Sequence, residues 1–160
     1  MASIGNFENI GVKFASWLYN SATIYELDIS SANVWNDVEI DLVNQVDNNL
    51  SYDSGIINFT GNGVYIIQYV NTFGGGVDDS FSIRFFNLTL NEEVAGSVLS
   101  FTTKGTAYWE VQNMMLVNLS TAYTGSFGKT THQIVMQARN NIDTSNLKIK
   151  SSSLVVIKIV

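Results

Sequence analysis

Few residues of this chain have the types and spacing that enzyme chemistry needs. His132 is the only histidine, and no acid or nucleophile stands out as its partner in a catalytic triad. Cysteine is absent, which removes thiolate nucleophiles, thiolate metal ligands and disulfides. The motifs of P-loop nucleotide binders, zinc proteases and α/β-hydrolases are missing too. We therefore predict a protein that is not an enzyme and has no catalytic residue.

Two other groups could bind a ligand. Asp78 and Asp79 follow a glycine loop at 74–76 and form the one candidate calcium site, because calcium prefers clustered carboxylates. No other metal or cofactor is expected. Aromatic residues near the predicted loops could stack against a sugar, or could pack in a core or an interface; they are Tyr52, Phe73, Tyr123 and Phe127.

The composition predicts one soluble, globular domain with a substantial core. Of the 160 residues, 46% are hydrophobic and 14% are charged, compared with about 25% charged in an average soluble domain. The net charge is −6 without any Lys/Arg cluster, so we expect no nucleic-acid partner. No apolar run reaches the roughly 20 residues of a membrane span, so we expect no membrane insertion. The first residues lack the basic and apolar regions of a signal peptide, and none is expected.

Short β-branched and aromatic runs predict an all-β sandwich or barrel of nine or ten strands. With no proline in the chain, its turns rely on Gly, Asn, Asp and Ser. Residues 56–59 and 63–70 flank an Asn-Gly turn, which is the strongest short-range signal for a β-hairpin. Further strands are predicted over 34–43 and 94–101.

Three of the predicted strands, 63–70, 108–119 and 154–160, are apolar on both faces. A strand with one solvated face alternates apolar and polar residues, so each of these strands must cover something on both sides. The last one is too apolar to be a safe exposed edge, and we expect it in the middle of a sheet. A central C-terminal strand requires the crossing connections of a Greek key or jelly roll.

Several short motifs occur in a recognisable order. Trp35 precedes an Asn/Asp loop, Phe59 leads into Gly63-x-Tyr65, and the end of the chain carries Ser152-Ser153-Leu154 followed by apolar residues. Over residues 33–160 this order resembles the tumour-necrosis-factor-like and complement-globular-head jelly roll, including its relatives in phage and bacterial surface proteins. One departure is that the strand over 114–119 lacks the Gly-Asp that family members often carry just after it.

The resemblance implies a jelly-roll β-sandwich of about ten strands in two antiparallel sheets, which assembles as a homotrimer. The head domain would span 33–160. Residues 1–32 would form an N-terminal extension, which either attaches the head to a larger particle or adds strands to the sandwich. The three two-faced strands would share the inner sheet, with one face in the core and the other at the three-fold contact.

The predicted strand faces assign individual residues to the core and to the trimer interface. The expected core residues are Trp35, Phe59, Tyr65, Ile67, Phe85, Val155 and Ile157. The expected trimer-interface residues are Val64, Ile66, Gln68, Val70, Met114, Leu116, Val156 and Lys158. In the last strand, the choice of inward and outward residues is our own inference and does not come from the resemblance.

We expect a non-enzymatic trimeric structural protein of a virion: a phage capsid decoration, a fibre head or a receptor-binding head. Its partners would be its own copies together with other virion proteins or a host surface receptor, which could be a glycan. One alternative is a trimeric head on a bacterial surface or spore. Another is a carbohydrate-active enzyme or lectin-like module on a sandwich fold.

Overall fold

The computed structural model describes residues 14–46, 50–60, 63–119 and 131–159. These residues form twelve strands and contain no helix, so the described part of the chain holds no helix that could cross a membrane. The strands are arranged in two antiparallel sheets. The all-β jelly-roll sandwich predicted from the sequence is confirmed.

The first sheet has five strands. In chain order they are β1 (Phe14–Leu27), β3 (Val43–Val46), β6 (Val64–Gly74), β10 (Trp109–Asn118) and β12 (Leu147–Lys158). In space their order is β10-β6-β12-β1-β3. The three two-faced strands are thus direct neighbours. The C-terminal strand β12 lies in the middle of the sheet, as its apolar sequence predicts.

The second sheet has seven strands. They are β2 (Asn36–Asp37), β4 (Leu50–Asp53), β5 (Ile56–Thr60), β7 (Ser80–Asn87), β8 (Glu92–Glu93), β9 (Leu99–Thr102) and β11 (Thr131–Asn140). The main path is β4-β5-β11-β7-β8, with β2 paired to β11 and β9 paired to β7. The predicted strands over 34–43 and 94–101 are therefore too long, because only short parts of them find a pairing partner.

The core lies between the two sheets, and aromatic rings are its largest buried side chains. Every second residue of β6 is buried, from Tyr65 to Phe73. These side chains meet residues from the opposite sheet. The ring of Tyr65 contacts Phe59 edge-on at 4.8 Å between centroids, and Tyr69 contacts Phe85 at 5.3 Å. Aromatic pairs at these distances add to the free energy gained by burying their surface.

The predicted hairpin between residues 56–59 and 63–70 is wrong. β5 pairs with β4 and β11 in the seven-stranded sheet, whereas β6 pairs with β10 and β12 in the other sheet. The chain therefore crosses the sandwich here. An Asn-Gly turn shows that the chain reverses, but it does not show which sheet receives the next strand. The actual tight hairpin joins β4 to β5 through Ser54 and Gly55, which both have positive φ, as a type I′ turn requires.

Part of the N-terminal segment belongs to the sandwich. β1 pairs with β12 along most of its length and with β3 on its other side. Ala15 and Trp17 are buried in the common core. Residues 14–27 therefore add a strand to the five-stranded sheet, which is one of the two roles that the sequence left open for residues 1–32. Residues 1–13 lie outside the described part of the chain.

The inward and outward residues of the terminal strand were assigned the wrong way round. Val156 is fully buried, while Val155 and Ile157 are only half-buried. The cause is a β-bulge between Ile149 and Ser151. An extra residue in one strand shifts the alternation by one position, so that inward residues have odd numbers before the bulge and even numbers after it.

Candidate functional site

The solvent side of the five-stranded sheet presents a largely apolar surface, which we call the outer face. In-register pairing of β10, β6 and β12 places Leu116, Ile66 and Ile157 side by side in one row. The next row consists of Met114, Gln68 and Val155. The remaining members of the outer face are Val64, Val70, Gln112, Ser153, Ser16, Leu18 and Val43.

The outer face is unusual in both its exposure and its lack of charge. Met114 is 64% exposed and Leu116 is 61% exposed, although each is large and apolar. None of the residues that define the face is charged, in a chain with a net charge of −6. Contiguous exposed apolar surface on a soluble protein commonly marks a site of interaction with another molecule.

Six of the predicted interface residues belong to this outer face: Val64, Ile66, Gln68, Val70, Met114 and Leu116. The other two do not, because of the β-bulge. Val156 packs in the core, and the ammonium group of Lys158 lies 5.7 Å from the ring centroid of buried Tyr65. Val155 and Ile157 take their places. Nothing in the sequence of β12 marks the bulge, since it arises from the unequal pairing with β6 and β1.

Leu18 and Val43 are outer-face residues that the sequence did not reveal. They are direct partners in the pairing of β1 with β3, and they are 39% and 66% exposed. Around Leu18 the sequence fits a helix and a strand about equally well. Only the strand places Leu18 opposite the buried Trp17, which explains why this part of the face was missed.

Trp35 is not a core residue, contrary to the sequence prediction. It is half-buried on the solvent side of the seven-stranded sheet, with the guanidinium carbons of Arg84 and Arg139 at 4.3 Å and 4.5 Å from its ring. The adjacent Asn36 pairs with buried Ala138 of β11, and alternation then turns Trp35 outward. Cation–π contacts of this kind are favourable when they are partly desolvated, so Trp35 fastens the segment before β2 to the sheet.

Two of the four aromatic residues predicted near ligand loops have structural roles instead. Phe73 is fully buried in β6 and stacks on Phe101 at 5.0 Å. Tyr52 lies in β4, packs against Trp17 and donates a hydrogen bond to the carbonyl of Ile40 at 2.6 Å. Burial raises the pKa of Tyr52 above that of a free tyrosine. Both residues are therefore unsuited to stacking on a sugar.

The other two aromatic residues, Tyr123 and Phe127, lie outside the described residues.

Of the two aspartates after the glycine loop, Asp79 stabilises a turn through its carboxylate. The carboxylate of Asp79 accepts a hydrogen bond from the backbone N–H of Gly76 at 2.6 Å, and Asp79 is 6% exposed. Asp78 is exposed and has a positive φ of 60°. Within the described ranges, no three His, Cys, Asp or Glu side chains lie close enough together to hold a metal ion. The donor set at this turn therefore consists of two adjacent carboxylates, one of which is engaged with the backbone.

His132 is buried in β11, where it pairs with Phe59 of β5. Asn87 Oδ1 accepts hydrogen bonds from the N–H groups of Thr89 and Leu90, so its Nδ2 must be the donor toward His132 Nδ1, 3.4 Å away. Nδ1 therefore carries no proton, and the neutral ring carries its proton on Nε2. Nε2 has no hydrogen-bond partner in the described part of the chain, and burial lowers the pKa of His132.

The described part of the surface includes two sizeable clefts that the sequence did not predict. One, of about 530 Å³, lies at one end of the sandwich; its polar lining includes Glu26, Asp28 and Asn146. The other, of about 350 Å³, lies between the β8 turn and β10, and Leu116 lines it together with Val94. The second cleft is therefore continuous with the outer face. Both are assembled from segments far apart in the chain, which is why no local pattern indicates them.

Solved structures with the same architecture define the class of this fold. The chain superposes on Eiger TNF from S. frugiperda with a TM-score of 0.60 at 10% identity, covering 93% of each chain. For murine APRIL the TM-score is 0.56 at 14% identity, covering 92% of this chain and all of that one. For the globular domain of zebrafish complement 1qA it is 0.50 at 12% identity, covering 89% and 94%.

The fold is therefore a TNF/C1q-like jelly roll, as the motif order in the sequence predicts. None of the three structures is described as an enzyme. No protein-family model matches the chain, and no curated protein matches it. At sequence identities this low the likeness concerns the fold alone, so the function has to be argued from the outer face.

Proposed function

We propose that this protein is a non-enzymatic head that assembles as a homotrimer through the outer face and acts by binding other surfaces. The observation that carries this proposal is the uncharged apolar surface across three neighbouring strands of a TNF/C1q-like jelly roll. β6 and β12 bury their inner sides, yet still present Ile66, Val155 and Ile157 on the other side. Covering this second apolar side removes hydrocarbon from water, at about 25 cal/mol per Å².

Self-association suits the charge distribution. Copies with a net charge of −6 repel one another wherever acidic surfaces meet. The outer face is the region where two such chains can approach without bringing like charges together. A three-fold ring joins two different patches on each copy, so different parts of the outer face would meet on neighbouring copies. The remaining surface, including the polar cleft at the end of the sandwich, would stay free for a partner.

The setting is the finer part of the proposal. We infer that the head belongs to a virion surface, most simply as a phage capsid decoration, fibre head or receptor-binding head. Support comes from the asparagine-rich, weakly charged composition and from the resemblance, which includes phage surface proteins. The head would span 33–160, with β1 added from residues 14–27. Peptides of the chain in purified virions would support this setting, and the same head on bacterial cells without virus would favour the bacterial alternative.

The substitution Ile66→Asp tests the assembly. Ile66 lies between Leu116 and Ile157, so each copy would bury an unpaired carboxylate, which costs about 3 kcal/mol or more per site. We expect the variant to be monomeric by size-exclusion chromatography with light scattering, with its β-sheet circular dichroism unchanged. Thr102→Asp, at an exposed position of the seven-stranded sheet, is the matched control and should retain the trimer. A folded Ile66→Asp variant that remains trimeric would refute an interface at this face.

A further inference from the structure

One polar side chain lies in the middle of the outer face. Gln68 is exposed and stands directly between Met114 on β10 and Val155 on β12. Along its own strand, Ile66 and Val70 flank it on the same side. Its side-chain amide has no hydrogen-bond partner among the described residues. Gln68 thus has four apolar direct neighbours, while the polar residues Gln112 and Ser153 lie diagonally from it, beside Val70.

A partner that covers this face removes water from the Gln68 amide. An amide that loses water without gaining a hydrogen bond is unfavourable, and Gln68 makes no hydrogen bond within the described part of its own chain. The partner must therefore bring a donor and an acceptor to the centre of a largely apolar contact. A glutamine amide carries both a carbonyl acceptor and an NH₂ donor. It is thus its own complement, which a carboxylate or an ammonium group is not.

We propose that the Gln68 side chains of associated copies hydrogen-bond to one another across the symmetry axis and thereby fix the number and register of the copies. This inference rests on the proposed trimer. Apolar packing alone tolerates several alignments of similar energy, whereas a buried amide is satisfied in few of them. A single buried polar residue specifies oligomer state and register in the same way in coiled coils. The apolar residues of the outer face supply the affinity between copies, and Gln68 selects their number and register.

The first test is Gln68→Leu, with Gln112→Leu as the matched control. Gln112 has the same side chain and faces the same side, but lies on the edge strand β10 opposite Val70. Native mass spectrometry of the unmodified protein and of Gln112→Leu should give one stoichiometry. Gln68→Leu should still associate, but as a mixture of oligomers. A single trimeric species for Gln68→Leu would overturn the inference.

The second test uses Gln68→Glu at two pH values. A protonated carboxylic acid has a donor and an acceptor, as the amide does, whereas ionised carboxylates repel when brought together, and such proximity raises their pKa. The variant should associate at about pH 5.5 and weaken at least tenfold in trimer affinity at about pH 8, while Gln112→Glu and the unmodified protein change little. A variant with the same affinity at both pH values would overturn the inference.

These outcomes separate the two proposals. An unmodified protein that is monomeric contradicts both of them. An unmodified protein that is trimeric, with Gln68 variants indistinguishable from it, contradicts only the role of Gln68.

Discussion

Buried polar side chains mark the places where single residues control stability. Among the described residues, Asn71 and Asn140 are both fully buried, but they differ in their partners. Asn140 donates to the Asp143 carboxylate and to a backbone carbonyl, and accepts from the N–H groups of Ile142 and Asp143. Asn71 in β6 makes one weak contact, to the sulfur of Met136 at 3.5 Å, and its Oδ1 has no partner among the described residues. Substituting each asparagine by leucine should therefore change the free energy of unfolding in opposite directions.

We predict that Asn71→Leu raises the free energy of unfolding by about 1 kcal/mol, since it removes an unpaired buried carbonyl and adds apolar volume. Asn140→Leu, at an equally buried position, should lower it by about 2–4 kcal/mol, because it leaves several donors and acceptors unpaired. Denaturant unfolding of the two variants measures both changes. Destabilisation of similar size in both would contradict the hydrogen-bond assignment.

The buried His132 should make stability depend on pH. Burial lowers its pKa in the folded state below the value of about 6.5 that it has when unfolded. The unfolded chain therefore takes up a proton first, and stability is retained above about pH 6.5 and falls as the pH decreases below it. The slope contributed by this group is at most about 1.4 kcal/mol per pH unit.

His132→Gln, which keeps an acceptor for Asn87, should reduce this loss of stability between about pH 7 and 5.5. The measurement is urea unfolding of both proteins across that range. Parallel stability curves would show that His132 does not titrate in the way its environment requires.

At the scale of strands, the sequence predicts which faces of a strand are buried better than it predicts the sheet in which the strand lies. The two-faced character of β6, β10 and β12 is visible in their residues, because apolar side chains on both parities require burial on both sides. The central position of β12 follows from the same property, whereas the all-β class follows from the short β-branched and aromatic runs between turns. The Phe59-to-Tyr65 segment was misassigned as a hairpin, because a turn signal is local whereas the choice of sheet depends on distant partners.

The β-bulge in β12 shows the same limit at the site itself. One extra residue near Lys150 exchanges the roles of Val155 and Val156, and hence the predicted core and interface residues of that strand. The bulge depends on how β12 pairs with both β6 and β1, which no local pattern contains. The outer face of β6 was predictable because that strand has no register shift in its pairing with β10.

At the scale of the whole molecule, the central claim is that the outer face is an interface between copies. The fold places three strands that are apolar on both faces side by side. Their exposed apolar side chains therefore form one surface across the sheet, where a single strand would expose only a narrow row. The net charge of −6 opposes contact between copies through acidic surfaces, and the uncharged rows of this face avoid that repulsion.

The mass of the unmodified protein in solution tests this claim most directly. One chain has a mass of 17.7 kDa, and light scattering on the peak eluting from size-exclusion chromatography reports the mass of the assembly independently of its shape. At micromolar concentration we predict a single species with three times the mass of one chain. A species with the mass of a single chain under the same conditions would contradict the account.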